Sequence, residues 1–240
     1  MRVGIHQINY FPWMGYFNKI AKSDIFILLD EVQLADNGAM HRNRIINKNG
    51  DITYITTSFN KKNYFERRFC DIETNNTVDW LTRQYNLICD SYRKAPFWEE
   101  IHNLILPIFK DQYSRVIDIN IRALNLILSV LDIKTKLVFQ SDIKYDKDLR
   151  KDDMLIALLK NIGADIYLSG VGAKKYMVLD DFHRNNIGVQ FQTFLQPEYH
   201  QINSKEFIPG LSILDVLFNC GISGTKDLFW NNMQNNEILE

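Results

Sequence analysis

An α/β fold, a mainly parallel sheet flanked by helices, is predicted by three observations. Short apolar runs near residues 2–6, 25–29, 136–139, 166–169 and 189–194 alternate with segments of helical period through most of the chain. The run Ile25 to Leu29 is apolar without alternation, as a strand buried on both faces requires. Polar residues follow the first two runs, His6-Gln7 and Asp30-Glu31, at the strand ends where open α/β sheets keep their ligands.

With 240 residues, 46% apolar and 24% charged, the chain can bury a full core without splitting. Residues 1–230 are expected to form one α/β domain, and 231–240, rich in Asn, Gln and Glu, a loose tail. A formal net charge of -1 gives no global attraction to nucleic acid or to an anionic membrane, so neither is expected as a partner. No run approaches the roughly 20 apolar residues of a membrane span, and the first residues lack a signal-peptide core. Membrane insertion is not expected, and a cytoplasmic location is. Cys70, Cys89 and Cys220 are far apart and odd in number, which reads as small core residues rather than a disulfide or zinc framework. His41, His183 and His200 lack ligand spacing, and no metal is expected.

In chain order, the strand at 2–6 leads through Asn9-Tyr10-Phe11-Pro12 into a helix. Pro12 suits its first turn, Trp13, Tyr16, Phe17 and Ile20 form its apolar face, and Lys19 and Lys22 complement its carboxyl end. After the second strand, Asp30 to Asn49 loses all periodicity and reads as a long polar loop. Within it, Arg42 and Arg44 alternate, so an extended backbone points both forks one way, an arrangement suited to a phosphate or carboxylate or to surface ion pairs. Asn49-Gly50 marks a turn into a β-branched strand at 52–57, and another short strand is expected near Phe69 to Ile72.

Residues 78–131 read as an inserted helical block, with Pro96 restarting the pattern and a final helix from Val116 to Leu131. A strand to Phe139, a helix from Asp153 to Asn161 stopped by Gly163, and a strand ending in Ser169-Gly170 follow. Gly170-Val171-Gly172 before a helix start would let backbone N–H groups approach an anion. A helix near 180–186, a strand at 189–194 and a last helix complete the chain. Ser212 is placed as its N-cap, with Asp215 three residues on in capping-box position.

Taken together, His6-Gln7-x-x-Tyr10-x-Pro12-Trp13-x-Gly15-Tyr16-Phe17, Asp30-x-Val32-Gln33, Arg42-Asn43-Arg44-Ile45, Ser169-Gly170-x-Gly172 with Tyr176, Tyr199-x-Gln201 and Ser212-Ile213-x-Asp215 through Asn219-x-Gly221 resemble the WbqC-like protein family over residues 3 to about 221. The opening also resembles nucleotidyltransferase-like (HUP-like) α/β enzymes such as pantoate–β-alanine ligases. Of their His-x-Gly-His element only Gly15 is present, in Trp13-Met14-Gly15-Tyr16, so adenylyl transfer does not come across with the fold.

The family resemblance implies a place in bacterial O-antigen and other surface-polysaccharide biosynthesis. The expected function is amide formation on the amine of a nucleotide-linked sugar, with ATP or an acyl-thioester as possible donor. A non-catalytic nucleotide-sugar-binding or scaffolding protein is the alternative. His6 is the candidate general base, because an imidazole near its ordinary pKa can take the proton of an attacking amine. Asp30 and Asp215 are the other catalytic candidates. Arg42 and Arg44 would hold the diphosphate, and Tyr10, Trp13 or Tyr16 would stack on a base or sugar. Gln7, Gly15, Gln33, Asn43, Ser169, Gly170, Gly172, Tyr176, Tyr199, Gln201, Ser212 and Asn219 complete the expected binding set.

Overall fold

The first strand feeds one core, and alternate residues of the second enter two. In β1 (Arg2–Gln7), Val3 and Ile5 join a cluster with Ile156, Leu159 and Phe182 on one side of the sheet. In β2 (Ile25–Leu29), Ile27 and Leu29 join that same cluster, while Phe26 and Leu28 pack on the opposite side with Phe17, Ile20 and Leu217. Continuous apolarity in β2 is therefore what two-faced burial demands. In this computed structural model residues 1–35, 38–233 and, for the backbone, 238–239 are described.

The remaining sheet strands are β5 (Lys136–Phe139), β6 (Ile166–Gly170), β7 (Gly188–Gln192) and β8 (Ile238–Leu239). They assemble with β1 and β2 in the order β5-β2-β1-β6-β7-β8. All pairings are parallel except β7 with β8. The chain thus runs outward from β1 through β2 to β5, then returns to the other side of β1 for β6 and β7. This reversal is a topological switch point, and it opens a crevice outside the carboxyl ends of β1 and β6.

Helix α1 (Met14–Ala21) joins β1 to β2 on the larger core. Its close return depends on Gly4, where a Cβ would stand 2.4 Å from the Ser23 hydroxyl oxygen and 2.7 Å from the Phe26 ring. The expected helical block resolves into α2 (Trp80–Tyr92), α3 (Trp98–Lys110) and α4 (Val116–Leu131). These pack with α7 (Ile213–Met233) on the α1 side. Helices α5 (Lys151–Ile162) and α6 (Leu179–Arg184) cover the other face. Among the described residues no helix is long and apolar enough to cross a membrane.

Four local expectations change. The polar stretch after β2 is not loop throughout: Arg42–Ile46 is β3, paired antiparallel with β4 (Ile52–Thr56). Phe69–Asp71 is a 3-10 turn, not a strand, because the Phe69 and Cys70 amides donate to the carbonyls of Val32 and Asp30 at one crossing point instead of forming a ladder. The Gly170-Val171-Gly172 turn opens only a 3-10 turn, Val171–Lys175, so no α-helix N-terminus stands there. At the chain's end α7 runs on to Met233 and β8 pairs with β7, where a loose tail is suggested by composition. Of that tail, residues 234–237 and 240 lie outside the described residues.

Candidate active site

A cavity of about 430 Å³ occupies the switch-point crevice. Its walls are His6 and Gln7 from β1, Lys19 from α1, Tyr167, Ser169 and Gly170 from β6, Asp152 and Leu155 from α5, and the turn bearing Gly172 and Tyr176. His6 leaves the core at the end of β1 and meets the ring of Tyr16 edge-on at 5.1 Å. Tyr16 is itself fixed, its hydroxyl donating to the Gln7 carbonyl at 3.0 Å. The His6 Nδ1 lies 3.0 Å from the same carbonyl. A carbonyl only accepts, so Nδ1 carries the proton and Nε2 keeps its lone pair. Burial, reinforced by the Lys19 charge and opposed by the Gln7 hydrogen bond, pulls the imidazole down to about 4. His6 is therefore neutral at pH 7 and a weak base.

Lys19 is the group that sequence reasoning missed. Placed near the end of α1, it reads as a solvated cation facing the helix dipole, but it is only 4% exposed. Its ammonium donates to the Ile5 carbonyl at 2.8 Å and lies 5.9 Å from the centre of the Tyr167 ring. No carboxylate among the described residues pairs with it, and burial pulls the amine down to about 7. A buried, uncompensated amine of that basicity, bordering a cavity, is a functional-site signature. The available signal was its position three residues after Tyr16 on a helix whose other flank, Phe17 and Ile20, is also buried.

Of the expected site residues, the structure brings His6, Gln7, Ser169, Gly170, Gly172 and Tyr176 into this cavity, with Tyr16 directly behind His6. Tyr176 is 76% exposed at its mouth. The Asp152 carboxylate accepts from the Val178 amide at 2.9 Å and so ties α5 to the segment following that turn.

The other expected residues lie elsewhere, most of them bonded within the fold. Asp30 accepts from the Ser141 amide at 3.0 Å and the Ser141 hydroxyl at 2.6 Å, which locks the turn after β5 to the end of β2. Gln33 donates to the Phe65 carbonyl at 2.5 Å. Asp215, 1% exposed, accepts from the hydroxyls of Tyr92 and Tyr199, each at 2.8 Å, and from the Gln201 amide at 2.9 Å. Burial nevertheless pushes its carboxyl above the ordinary aspartate value. Asn219 accepts from the Ile202 amide at 2.9 Å and donates to the Asp215 carbonyl at 2.7 Å. These bonds weld the 199–202 segment onto α7.

A neighbouring set secures the entry to α1. Phe11 has a left-handed φ of 39°, uncommon for a bulky residue. Its carbonyl accepts from the Asn43 amide at 2.7 Å and the Ser212 hydroxyl at 2.8 Å. Ser212 caps α7 through the Leu214 amide at 3.3 Å, but Asp215 does not close the capping box, because both of its oxygens serve the tyrosines and Gln201. Arg44 donates to the Gly210 carbonyl at 3.0 Å, and the Arg42 guanidinium lies over the Tyr54 ring at 4.6 Å. Tyr10 is fully buried, Gly15 lies against the Trp13 ring, and Trp13 packs edge-on to Phe194. Much of the motif set thus positions the bend that delivers Tyr16 and Lys19 to the cavity.

Comparison with known proteins adds two similarities. The model of the WbqC-like protein family matches residues 7–227. A protein of Mycobacterium tuberculosis (strain ATCC 25618 / H37Rv), named "Uncharacterized protein Rv1507c", is 33% identical over 222 residues, covering 92% of this chain and 94% of that protein. No solved structure matches.

Proposed function

Because this chain belongs to the WbqC-like protein family and carries a switch-point cavity that joins a neutral imidazole to an uncompensated amine, we propose that it is an enzyme of bacterial surface-polysaccharide biosynthesis. It acts in the cytoplasm on a nucleotide-linked amino sugar and forms an amide on the sugar amine. The observation that carries this reading is the pair His6 and Lys19 lining one cavity.

The sugar amine attacks the acyl carbonyl carbon, a C–N bond forms, and the bond from that carbon to the donor's sulfur or phosphate oxygen breaks. The proton shed by the nitrogen goes to the Lys19 amine, whose basicity near 7 suits a base at neutral pH. His6, with its Nε2 lone pair available, accepts a hydrogen bond from the attacking amine and orients it. The donor supplies the activation, as a thioester or through ATP. The Ser169 to Gly172 segment and Tyr176 bound the space in which the sugar lies.

Incubation of nucleotide-linked amino sugars with the protein, with and without ATP and acyl-thioesters, followed by mass spectrometry, tests the proposal. Product that appears with wild type and is lost in Lys19→Ala, while the variant stays folded, is the expected result. Binding of the sugars with no product under any donor would instead make this a holding protein for the pathway.

A further inference from the structure

Arg42 and Arg44 do not line the His6 cavity, and Arg44 is committed to the Gly210 carbonyl. A second cleft, of about 460 Å³, opens beyond the carboxyl ends of β2 and β5. One wall is the turn that carries Phe65, Arg67 and Arg68, and the other is the segment that carries Lys147, Arg150 and Lys151. Glu31, its side chain 9% exposed, pairs with Arg68 at 2.9 Å from the first wall and with Lys147 from the second. One buried carboxylate thereby fixes the spacing of two cationic walls.

Against these cations the lining sets Glu31 and Glu66, and behind it Asp71 pairs with Arg68 at 2.8 Å and Glu73 with Arg67 at 3.5 Å. Among the described residues the cleft therefore keeps a modest positive excess, carried by Arg150 and Lys151, in a chain whose net charge is -1. Arg150 donates to the Lys147 carbonyl at 2.5 Å and the Leu149 carbonyl at 2.8 Å, which orders its guanidinium without neutralising it. Phe65 stands 55% exposed beside this charge, its backbone carbonyl tethered by Gln33 at 2.5 Å. An aromatic face held in water next to ordered guanidiniums matches a nucleoside diphosphate: the base stacks and the phosphates accept charge-assisted hydrogen bonds. Lys151 and Met154 of α5 line this cleft, whereas Asp152 and Leu155 line the His6 cavity. The two spaces are therefore divided by a single helical turn, about 10 Å across.

We propose that this cleft binds the nucleoside diphosphate of the substrate and that the attached sugar reaches across the first turn of α5 to His6 and Lys19. The proposal rests on the reading of the substrate as a nucleotide-linked sugar.

Isothermal titration of the full chain with UDP, GDP and ADP, and separately with inorganic pyrophosphate, is the test. At least one nucleotide and pyrophosphate are expected to bind, with affinity that falls as salt rises. An Arg67→Ala/Arg150→Ala variant with unchanged melting temperature is expected to lose about tenfold or more for both. Phe65→Ala is expected to weaken the nucleotide and spare pyrophosphate, and Arg93→Ala, outside the cleft, to change neither. No binding by wild type at millimolar concentration, or wild-type affinity in the double variant, overturns the proposal. Equal loss of nucleotide and pyrophosphate in Phe65→Ala overturns the stacking assignment. Nucleotide binding that depends on Arg67 and Arg150 without turnover of any amino sugar fails the reaction and leaves the cleft standing. Turnover with unchanged KM in the double variant overturns the cleft and leaves the reaction standing.

Discussion

Replacing Lys19 with Met should make the protein more stable while abolishing turnover. The Lys19 stem is buried, its ammonium has one carbonyl acceptor, and burial moves the amine from 10.5 to about 7. A base whose folded pKa is depressed carries no penalty above its unfolded pKa and a growing one as pH falls from the unfolded to the folded value, because the unfolded chain binds the proton first. At about 1.36 kcal/mol per pH unit, the charge requirement costs on the order of 4 kcal/mol at pH 7. Lys19→Met keeps an unbranched apolar stem and removes that cost, with roughly 1 kcal/mol returned because the Ile5 carbonyl loses a donor. A net gain of about 3 kcal/mol corresponds to a rise in melting temperature of roughly 6–12 °C for a chain of this size. The assay is thermal unfolding of both proteins at intervals from pH 6 to pH 10, with turnover measured alongside. The gap should shrink as pH rises and the wild-type amine deprotonates in both states. A variant no more stable than wild type at pH 7, or a gap independent of pH, would refute the assignment of Lys19 as a buried, uncompensated amine.

Four further outcomes are expected. Asp215→Ala strands the hydroxyls of Tyr92 and Tyr199 and the Gln201 amide, so urea unfolding should show a loss of about 3 kcal/mol or more; a loss below about 1 kcal/mol would count against the hub. Nitrogen-15 NMR of His6 at pH 5.5 should show a neutral ring with its proton on Nδ1, in keeping with an imidazole pulled down to about 4 and a Gln7 acceptor. By linkage, wild type should lose stability relative to His6→Gln as pH falls from 6.5 through 4, and an imidazolium signal at pH 5.5 would contradict both statements. Gly221 sits in α7 at φ 71°, and a Cβ there would lie 2.5 Å from a Phe97 ring carbon. Gly221→Ala should therefore cost about 2 kcal/mol or more in thermal unfolding, through backbone strain and overpacking together.

The legible part of this protein is the part governed by period and burial. Ile25 to Leu29 announces a doubly covered strand, and Trp80 to Leu131 announces helices, because apolar spacing is a local property that survives without neighbours. His6 and Ser169-Gly170 were legible for a related reason: a polar residue that ends an apolar run stands at the carboxyl edge of a parallel sheet whatever the strand order. Strand order itself was not legible. Placing β6 beside β1 and not beside β5 is what creates the crevice, and that pairing joins residues more than 160 positions apart.

The role of the polar motifs also had to await the tertiary structure. Asp30, Asp215, Arg44, Ser212 and Asn219 look like site residues in one dimension because carboxylates, guanidiniums and amides serve equally as ligands and as partners for buried backbone. Only when Ser141, Tyr92, Tyr199, Gln201, the Gly210 carbonyl and the Phe11 carbonyl are placed does the bonding demand of each become known. Lys19 shows the converse, since its type and position suggest solvent, and burial beneath β1 pulls its amine down to about 7. The sequence alone determined the α/β class, the course of the central parallel strands and the family likeness. The three-dimensional packing decided which polar groups were already satisfied and which faced a space, because desolvation and hydrogen-bond saturation depend on neighbours that no stretch of sequence specifies.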